Sequence, residues 1–180
     1  MEETDWAYLA GLIDGEAYLN IFLHTNPYFK RTTKEGYARE FKLEIASSEK
    51  LLLDEVRKRM ENTGIIMEHK RTVKDSPNAH SGYTLRFSHN QLRIILPKII
   101  PYLILKKNLA QLMKDSLGLR KGIRNYRKRV IETYRIDLAF NEEKKRVCKK
   151  SRLAPKADRI LEIEKQKVAE WDMAHLNHTN

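Results

Sequence analysis

The order of elements in this 180-residue chain predicts an α+β fold: helix, two strands, helix, two strands, then helices. Three observations carry the prediction. An apolar helical run near the N terminus stops at a glycine and a carboxylate. Two pairs of alternating segments follow, each bounded by turn residues. After residue 90 the alternation gives way to helical spacing.

In the first helix, Thr4 or Asp5 can accept from the leading free N–H groups, and residues 6–13 contain neither proline nor strand-like alternation. The helix is apolar all round and must be covered on both sides. Residues 18–25 alternate, with Leu19, Ile21 and Leu23 on one face and Asn20, Phe22 and His24 on the other. Residues 37–46 alternate more cleanly, placing Tyr37, Arg39, Phe41, Leu43 and Ile45 on the buried face. Ser47 and Ser48 offer a cap for a helix over 49–62, which carries Leu52, Leu53, Val56 and Met60 as a stripe and ends at Thr63-Gly64. Strands over 65–73 and 82–89 flank the turn Asp75-Ser76-Pro77-Asn78. Helices are expected over 90–95, from 98 to 117, from 123 to 150, and from Pro155 to Trp171, the last docking through Ile160, Ile163, Val168 and Trp171. Residues 1–150 read as a single core domain and 151–180 as a helical extension with a frayed tail over 177–180.

At 41% apolar content the chain can bury one sizeable core, and its net charge of +11 with pI near 9.7 suits a polyanion. Residues 120–152 hold thirteen Lys and Arg against four Asp and Glu, so most of the surplus lies there and is expected to grip phosphates. A single cysteine, Cys148, excludes a disulfide framework and a cysteine-based zinc site. No secretion signal opens the sequence, so an intracellular protein is expected.

The chemistry is expected at the end of the first helix. The last helical carbonyls lack internal partners and carry the negative end of the dipole, which favours a cation and disfavours a bare acid. Asp14 and Glu16 stand at that disfavoured end. They need a positive partner there, and oxygen donors alone suit a hard divalent ion such as magnesium. Gly11 inside the helix costs about 1 kcal/mol relative to alanine, so something must require a bare backbone. Ala7 and Gly11 lie four apart on one face and let a second helix come close. The apolar run between Asp5 and Asp14 is far short of the roughly 20 residues of a membrane span, and no membrane partner is expected.

Leu9-Ala10-Gly11-Leu12-Ile13-Asp14-Gly15-Glu16 resembles the signature of the LAGLIDADG homing endonucleases. Pro101-Tyr102-Leu103-Ile104-Leu105-Lys106-Lys107 resembles the Pro-aromatic-Leu-x-Leu-Lys segment that members of this family carry after their fourth strand. The resemblance spans residues 5–150. Glutamate replaces the final aspartate, and Ala17 the glycine that often follows. Glutamate keeps the charge and the oxygen donors, so metal binding is expected to survive with a slightly different reach.

The resemblance implies an αββαββα fold whose antiparallel, saddle-shaped sheet lies on double-stranded DNA, with C-terminal helices behind. It implies metal-dependent hydrolysis of both strands at a long pseudo-palindromic intron-insertion target. Gly15 and Glu16 then hold Mg2+ or another divalent cation such as Mn2+. Glu16 and Lys106 are the implied catalytic residues. Ser47 is the nearest counterpart of a polar group at the end of the second strand, with capping of the next helix as its competing role. Single-motif members of the family act as symmetric dimers. No second copy of the motif follows here, so a homodimer is implied, with Ala7, Gly11 and Ile13 at the interface.

On this reading the wet strand faces read base edges in the major groove. The residues concerned are Asn20, Phe22, His24 and Asn26 along the first strand, Glu40, Lys42 and Glu44 on the second, and Thr84 and Arg86 on the fourth. His69 and Arg71 join them, although polar residues on both faces of the third strand leave their side open. Lys30, Arg31 and Lys34 lie in the loop after the first strand, which is long enough to carry function. Acids in the groove repel phosphates unless they accept from cytosine N4, so Glu40 and Glu44 are either selectivity elements or neighbours of Lys42.

The six histidines show no paired metal-ligand spacing, and neither a phosphate-binding Gly-rich loop nor Gly-x-Ser-x-Gly occurs. The alternatives on the same scaffold are an RNA maturase, with intron RNA as partner, or a DNA-binding regulator that does not cut. A basic protein meeting RNA nonspecifically ranks below both. Glu16 beside Lys106 favours the enzyme, because a pure binder has no use for a carboxylate near phosphates. Chloroplast or mitochondrion is the expected location in a eukaryote, and the cytoplasm in an archaeon or bacterium.

Overall fold

In the computed structural model, which describes residues 1–24, 38–69, 82–122, 126–147 and 155–176, α1 covers Glu3–Glu16, longer at both ends than its apolar run suggests. Glu2 is the N-cap, and the Asp5 carboxylate reaches back to accept from the Glu2 N–H at 3.0 Å. Neither Thr4 nor Asp5 is therefore the cap. Gly15 does not stop the helix either. It runs on through Glu16 into β1 (Ala17–His24) with no connecting residue, Ala17 turning extended at φ −85° and ψ 149°.

The remaining elements are β2 (Ala38–Ser47), α2 (Lys50–Arg59), β3 (Ile65–His69), β4 (Gly82–Arg86), α3 (His89–Ile99), a 3-10 turn (Ile100–Tyr102), α4 (Lys107–Gly122), α5 (Tyr126–Val147) and α6 (Pro155–Leu176). The α+β class is as expected. The four strands stand in the order β1-β2-β4-β3, with β4 antiparallel to both β2 and β3. No helix among the described residues is long and apolar enough to cross a membrane. The chain forms two compact units, one of residues 1–20 and 41–110, the other of residues 21–40 and 111–180.

The first unit buries α1 through Leu9, Ala10 and Ile13, the sheet through Leu43, Ile45 and Leu85, and α2 through Leu53 and Val56. Several boundaries differ from the sequence reading. Ser47 and Ser48 do not cap α2. Glu49 is its N-cap, and the Ser47 hydroxyl instead accepts from the Glu49 N–H at 3.0 Å, closing a turn ahead of the helix. The helix ends at Arg59 rather than 62, because Glu61 and Asn62 turn left-handed. Gly64 follows at φ +94°, where a Cβ would lie 2.8 Å from Leu85 Cδ1, so glycine is needed there.

The fourth strand stops at Arg86. Ser88 then opens α3 with a capping box, its N–H donating to Gln91 Oε1 at 2.8 Å. The break expected near Pro97 does not occur there, since buried Leu92, Ile95, Leu96 and Ile99 hold α3 together through the proline. The chain breaks instead across residues 100–106, so the expected helix from 98 to 117 becomes a turn, a bend and α4.

In the second unit, α5 and α6 pack around buried Ile131, Tyr134 and Ile160, with Val168 and Trp171 against them. Ile163, expected to dock, is instead 42% exposed, and Leu161 and Glu164 point inward beside Ile160. A charged residue stays on the core-facing side of β2 because two acids meet it. Arg39 Nε donates to Asp137, and its Nη2 reaches Glu164 at 3.3 Å, with both carboxylates almost fully buried. Desolvation pushes the Asp137 carboxyl up to about 6, against the pull of the Arg39 guanidinium. One oxygen of Asp137 has no partner, which is part of the cost of this arrangement.

A group whose pKa is raised on folding stabilises below its unfolded value, and that contribution disappears as pH climbs through the folded one. Stability is therefore expected to fall between about pH 4 and pH 6 by up to about 3 kcal/mol from this residue. Urea unfolding of the parent and of Asp137→Asn across that window reads the effect as the difference of the two profiles. Parallel profiles would remove Asp137 as its source.

Candidate active site and nucleic-acid interface

Where α1 gives way to β1, two opposite charges are each satisfied by backbone. The Lys106 ammonium donates to the carbonyls of Ile13 at 2.7 Å, Asp14 at 2.8 Å and Ala17 at 2.9 Å. In return, the Asp14 carboxylate accepts from the N–H groups of Ile104 at 2.6 Å, Leu105 at 3.2 Å and Lys106 at 2.8 Å. The Lys106 carbonyl accepts from the Ala110 N–H at 2.9 Å, so Asp14 sits on the amides that lead into α4. Lys106 thus neutralises the negative end of α1, and Asp14 the positive end of α4.

This clasp corrects two expectations. The cation needed at the end of α1 is supplied by the chain itself, and Asp14 is held by amides rather than left for a metal. Lys106 is not inside a helix, and at 8% exposure its three ammonium hydrogens are matched by three carbonyls. It positions the helix end. The segment after the fourth strand acts through both the Lys106 ammonium and its own backbone N–H groups, and the latter carry no mark in side-chain chemistry. Its match to the family pattern was the available signal.

Between the clamped residues Asp14 and Ala17 stand Gly15 and Glu16, both exposed. Ala7 and Gly11 are exposed as well, and a Cβ built on Gly11 or Gly15 meets nothing within 4 Å. Ile13 does not share this face. It is fully buried in the chain's own core, one helical turn from Leu9 and Ala10, and so is withdrawn from the expected interface. The Ser47 hydroxyl is engaged by the Glu49 N–H, which favours its turn role over a catalytic one.

Strand register sorts the expected DNA-contacting residues. Ile45 opposes Leu85 on the core face, so Glu44, opposite Arg86, lies on the other face together with Lys42. His69 pairs with Gly82 and Met67 with Thr84, which puts His69 on that same face and answers what alternation left open. Asn20 and Thr84 carry a correction, being 4% and 8% exposed. Asn20 stands between the larger Tyr18 and Phe22 on one strand face, and Thr84 between Ala46 and Met67 on a central strand, so a short side chain is covered in each case. Glu40 and Phe22 are half-buried. The His24 side chain and residues Asn26, Lys30, Arg31, Lys34 and Arg71 lie outside what the structure describes.

The basic C-terminal surplus is partly consumed internally. Arg135 pairs with Glu132 at 2.7 Å and with Asp172, Arg146 pairs with Glu143 at 2.5 Å, and Lys144 is 3% exposed. Lys128 and Lys145 remain on the surface.

The architecture has solved counterparts. The homing endonuclease I-CvuI, in complex with its target, matches with TM-score 0.64 at 18% identity over 92% of this chain and 95% of that one. An archaeal intron-encoded homing endonuclease, I-Vdi141I, complexed with DNA, matches with TM-score 0.67 at 17% identity over 96% and 99%. The fold is that of the LAGLIDADG homing endonucleases. The LAGLIDADG meganuclease I-CpaMI, bound to uncleaved DNA, matches with TM-score 0.63 at 17% identity over 91% of this chain but 49% of its own length. No protein-family model matches the sequence, and no curated protein does.

Replacing Lys106 by Met strands three carbonyls and removes a buried charge that they solvate. The loss expected in urea unfolding is about 2–4 kcal/mol. A variant within about 0.5 kcal/mol of the parent would show that the ammonium does not hold this junction together.

Proposed function

We propose that this protein is a site-specific DNA endonuclease that hydrolyses both strands of its target as a homodimer, using a divalent cation. The observation that carries the proposal is Glu16, an exposed carboxylate fixed between two clamped residues at the end of the motif helix. It sits on a fold whose solved neighbours were crystallised on DNA. Because the identities are low, the activity rests on the site and not on the likeness alone.

Glu16 and the Gly15 carbonyl are hard oxygen donors of the kind magnesium or manganese takes. Among the described residues no cluster of three or more His, Cys, Asp or Glu could hold a metal. The remaining ligands in our reading are phosphate oxygens and the carboxylate of a second copy. I-CvuI complexes were solved with calcium and with magnesium present, which supports a divalent ion. Such an ion, when bound, lowers the pKa of a water and offsets charge on the leaving oxygen. The chain's own part is positional. Asp14 and Lys106 fix the backbone on either side of Gly15-Glu16, so the carboxylate is delivered with little freedom left to lose. Water then adds across the phosphodiester, forming one P–O bond and breaking another.

The dimer is supported by the open face of α1. Ala7, Gly11 and Gly15 follow one another at four-residue spacing, exposed and without Cβ crowding, which fits close approach of an identical helix. This chain covers nearly all of I-CvuI and I-Vdi141I but half of I-CpaMI, as expected if the longer protein carries in one chain what two copies supply here. Two copies place one Glu16 on each strand. An intron-insertion target and an intracellular location belong to the same proposal.

Glu16→Gln should bind target DNA within about threefold of the parent and lose cleavage by a factor of at least about 1,000 in magnesium. Retained cutting would move the active acid elsewhere, and binding without cutting by the parent would favour the non-cleaving regulator. Gly11→Leu should sediment as a monomer at concentrations where the parent is dimeric. An unchanged dimer would displace the interface from this face.

A further inference from the structure

The open face of the sheet carries one feature that the proposed reaction leaves unexplained. Glu44 and Arg86 are directly opposed on β2 and β4, the two central strands. Arg86 Nε donates to Glu44 Oε1 at 2.5 Å, and its Nη2 meets the same oxygen. The pair is part-buried in the middle of the sheet and adds no side chain to the core. It does fix a conformation. Both contacts use one edge of a planar guanidinium, which turns the opposite edge, with its remaining Nη hydrogens, away from β2. On the far side, register places Ile65 of β3 opposite Arg86. Ile65 is 67% exposed, and its side chain offers no acceptor to draw that edge down.

A guanidinium fork held with two parallel donors pointing outward matches the O6 and N7 acceptors of guanine in the major groove, the best bidentate partner among the four bases. We propose that Arg86 reads a guanine in each half of the DNA target and that Glu44 is its positioning residue, not a reader of cytosine. This assignment rests on the site-specific endonuclease reading above. It gives Glu44 a role beyond its sequence-level alternatives, because its Oε1 is taken twice by Arg86. A positioned arginine loses less side-chain freedom on contact, so the acid adds discrimination even though its charge opposes the phosphates.

Those opposing effects give the test its signature. The full chain is incubated in calcium with a pool of double-stranded DNA randomised over the site length, and bound sequences are recovered for the parent, Arg86→Lys, Arg86→Ala and Glu44→Gln. The parent should recover sites sharing one G·C pair per half-site. Arg86→Lys keeps the charge without the fork and should lose preference for that pair by about ten- to a hundredfold, at unchanged affinity for unrelated DNA. Arg86→Ala should lose the preference as well and also bind unrelated DNA more weakly.

Glu44→Gln should lose part of the preference, about three- to tenfold, while binding unrelated DNA more tightly because a repelling charge is gone. A merely structural role would weaken both together. Parent sites without a shared G·C pair, or an identical preference in Arg86→Lys, would overturn the assignment while leaving the endonuclease reading intact. Recovery of no common sequence by the parent would overturn both.

Discussion

Everything that places the candidate site depends on a reciprocal exchange between one carboxylate and one ammonium that do not need each other directly. Asp14 is at the wrong end of its own helix and the right end of α4; Lys106 is at the head of α4 and the right end of α1. Each charge is solvated by three backbone groups, those of residues 104–106 ahead of α4 for Asp14 and those of Ile13, Asp14 and Ala17 for Lys106, so neither is left uncompensated and each meets a favourable dipole. The arrangement also explains how a helix can pass into a strand without a loop. Carbonyls freed at the end of α1 are collected by one ammonium that also takes the Ala17 carbonyl of β1. Glu16 makes no part of this clasp, yet its backbone lies inside it. Glu16, the acid of the proposed reaction, stays exposed because its neighbours are held.

The same helix shows why a motif reads as one unit and performs three jobs. Leu9, Ala10 and Ile13 are buried, Asp14 ties the end, and Ala7, Gly11 and Gly15 remain on the surface. An apolar helix covered on one side only is an unfinished structure in water. Small residues on the uncovered side reduce the apolar area exposed and also permit a close second backbone, which larger residues could not do together.

Much of this was legible from residue order. Strand alternation gave the core face of β2, and the motif pointed to the end of α1, where Glu16 stands exposed. What stayed hidden has specific physical reasons. Ser88 and Gln91 form a capping box that strand continuity concealed, since a run such as Tyr83, Leu85, Phe87 reads as strand whether or not the last residue pairs. Pro97 reads as a helix breaker, but four buried apolar side chains in α3 outweigh one lost hydrogen bond. Ile13 belongs to the motif, yet which side of an apolar helix faces inward depends on tertiary packing that periodicity cannot see. The side of β3 that carries His69 follows from its pairing with β4, not from its own composition.

Charge is the property whose sequence-level meaning changes most on folding. A surplus of +11 describes the distant field, and at long range that field draws the chain to a polyanion whatever the local pairing. At contact distance the count is different. Arg39 is committed to two buried acids, Lys106 to three carbonyls, and Arg135 and Arg146 to neighbours on their own or adjacent helices. Each of these cations organises the protein. Arg86 differs from these, because its pairing with Glu44 leaves its side chain partly exposed. On the proposed function, attraction to DNA comes from the net field of the whole chain, and discrimination among sequences from cations whose geometry a neighbour holds.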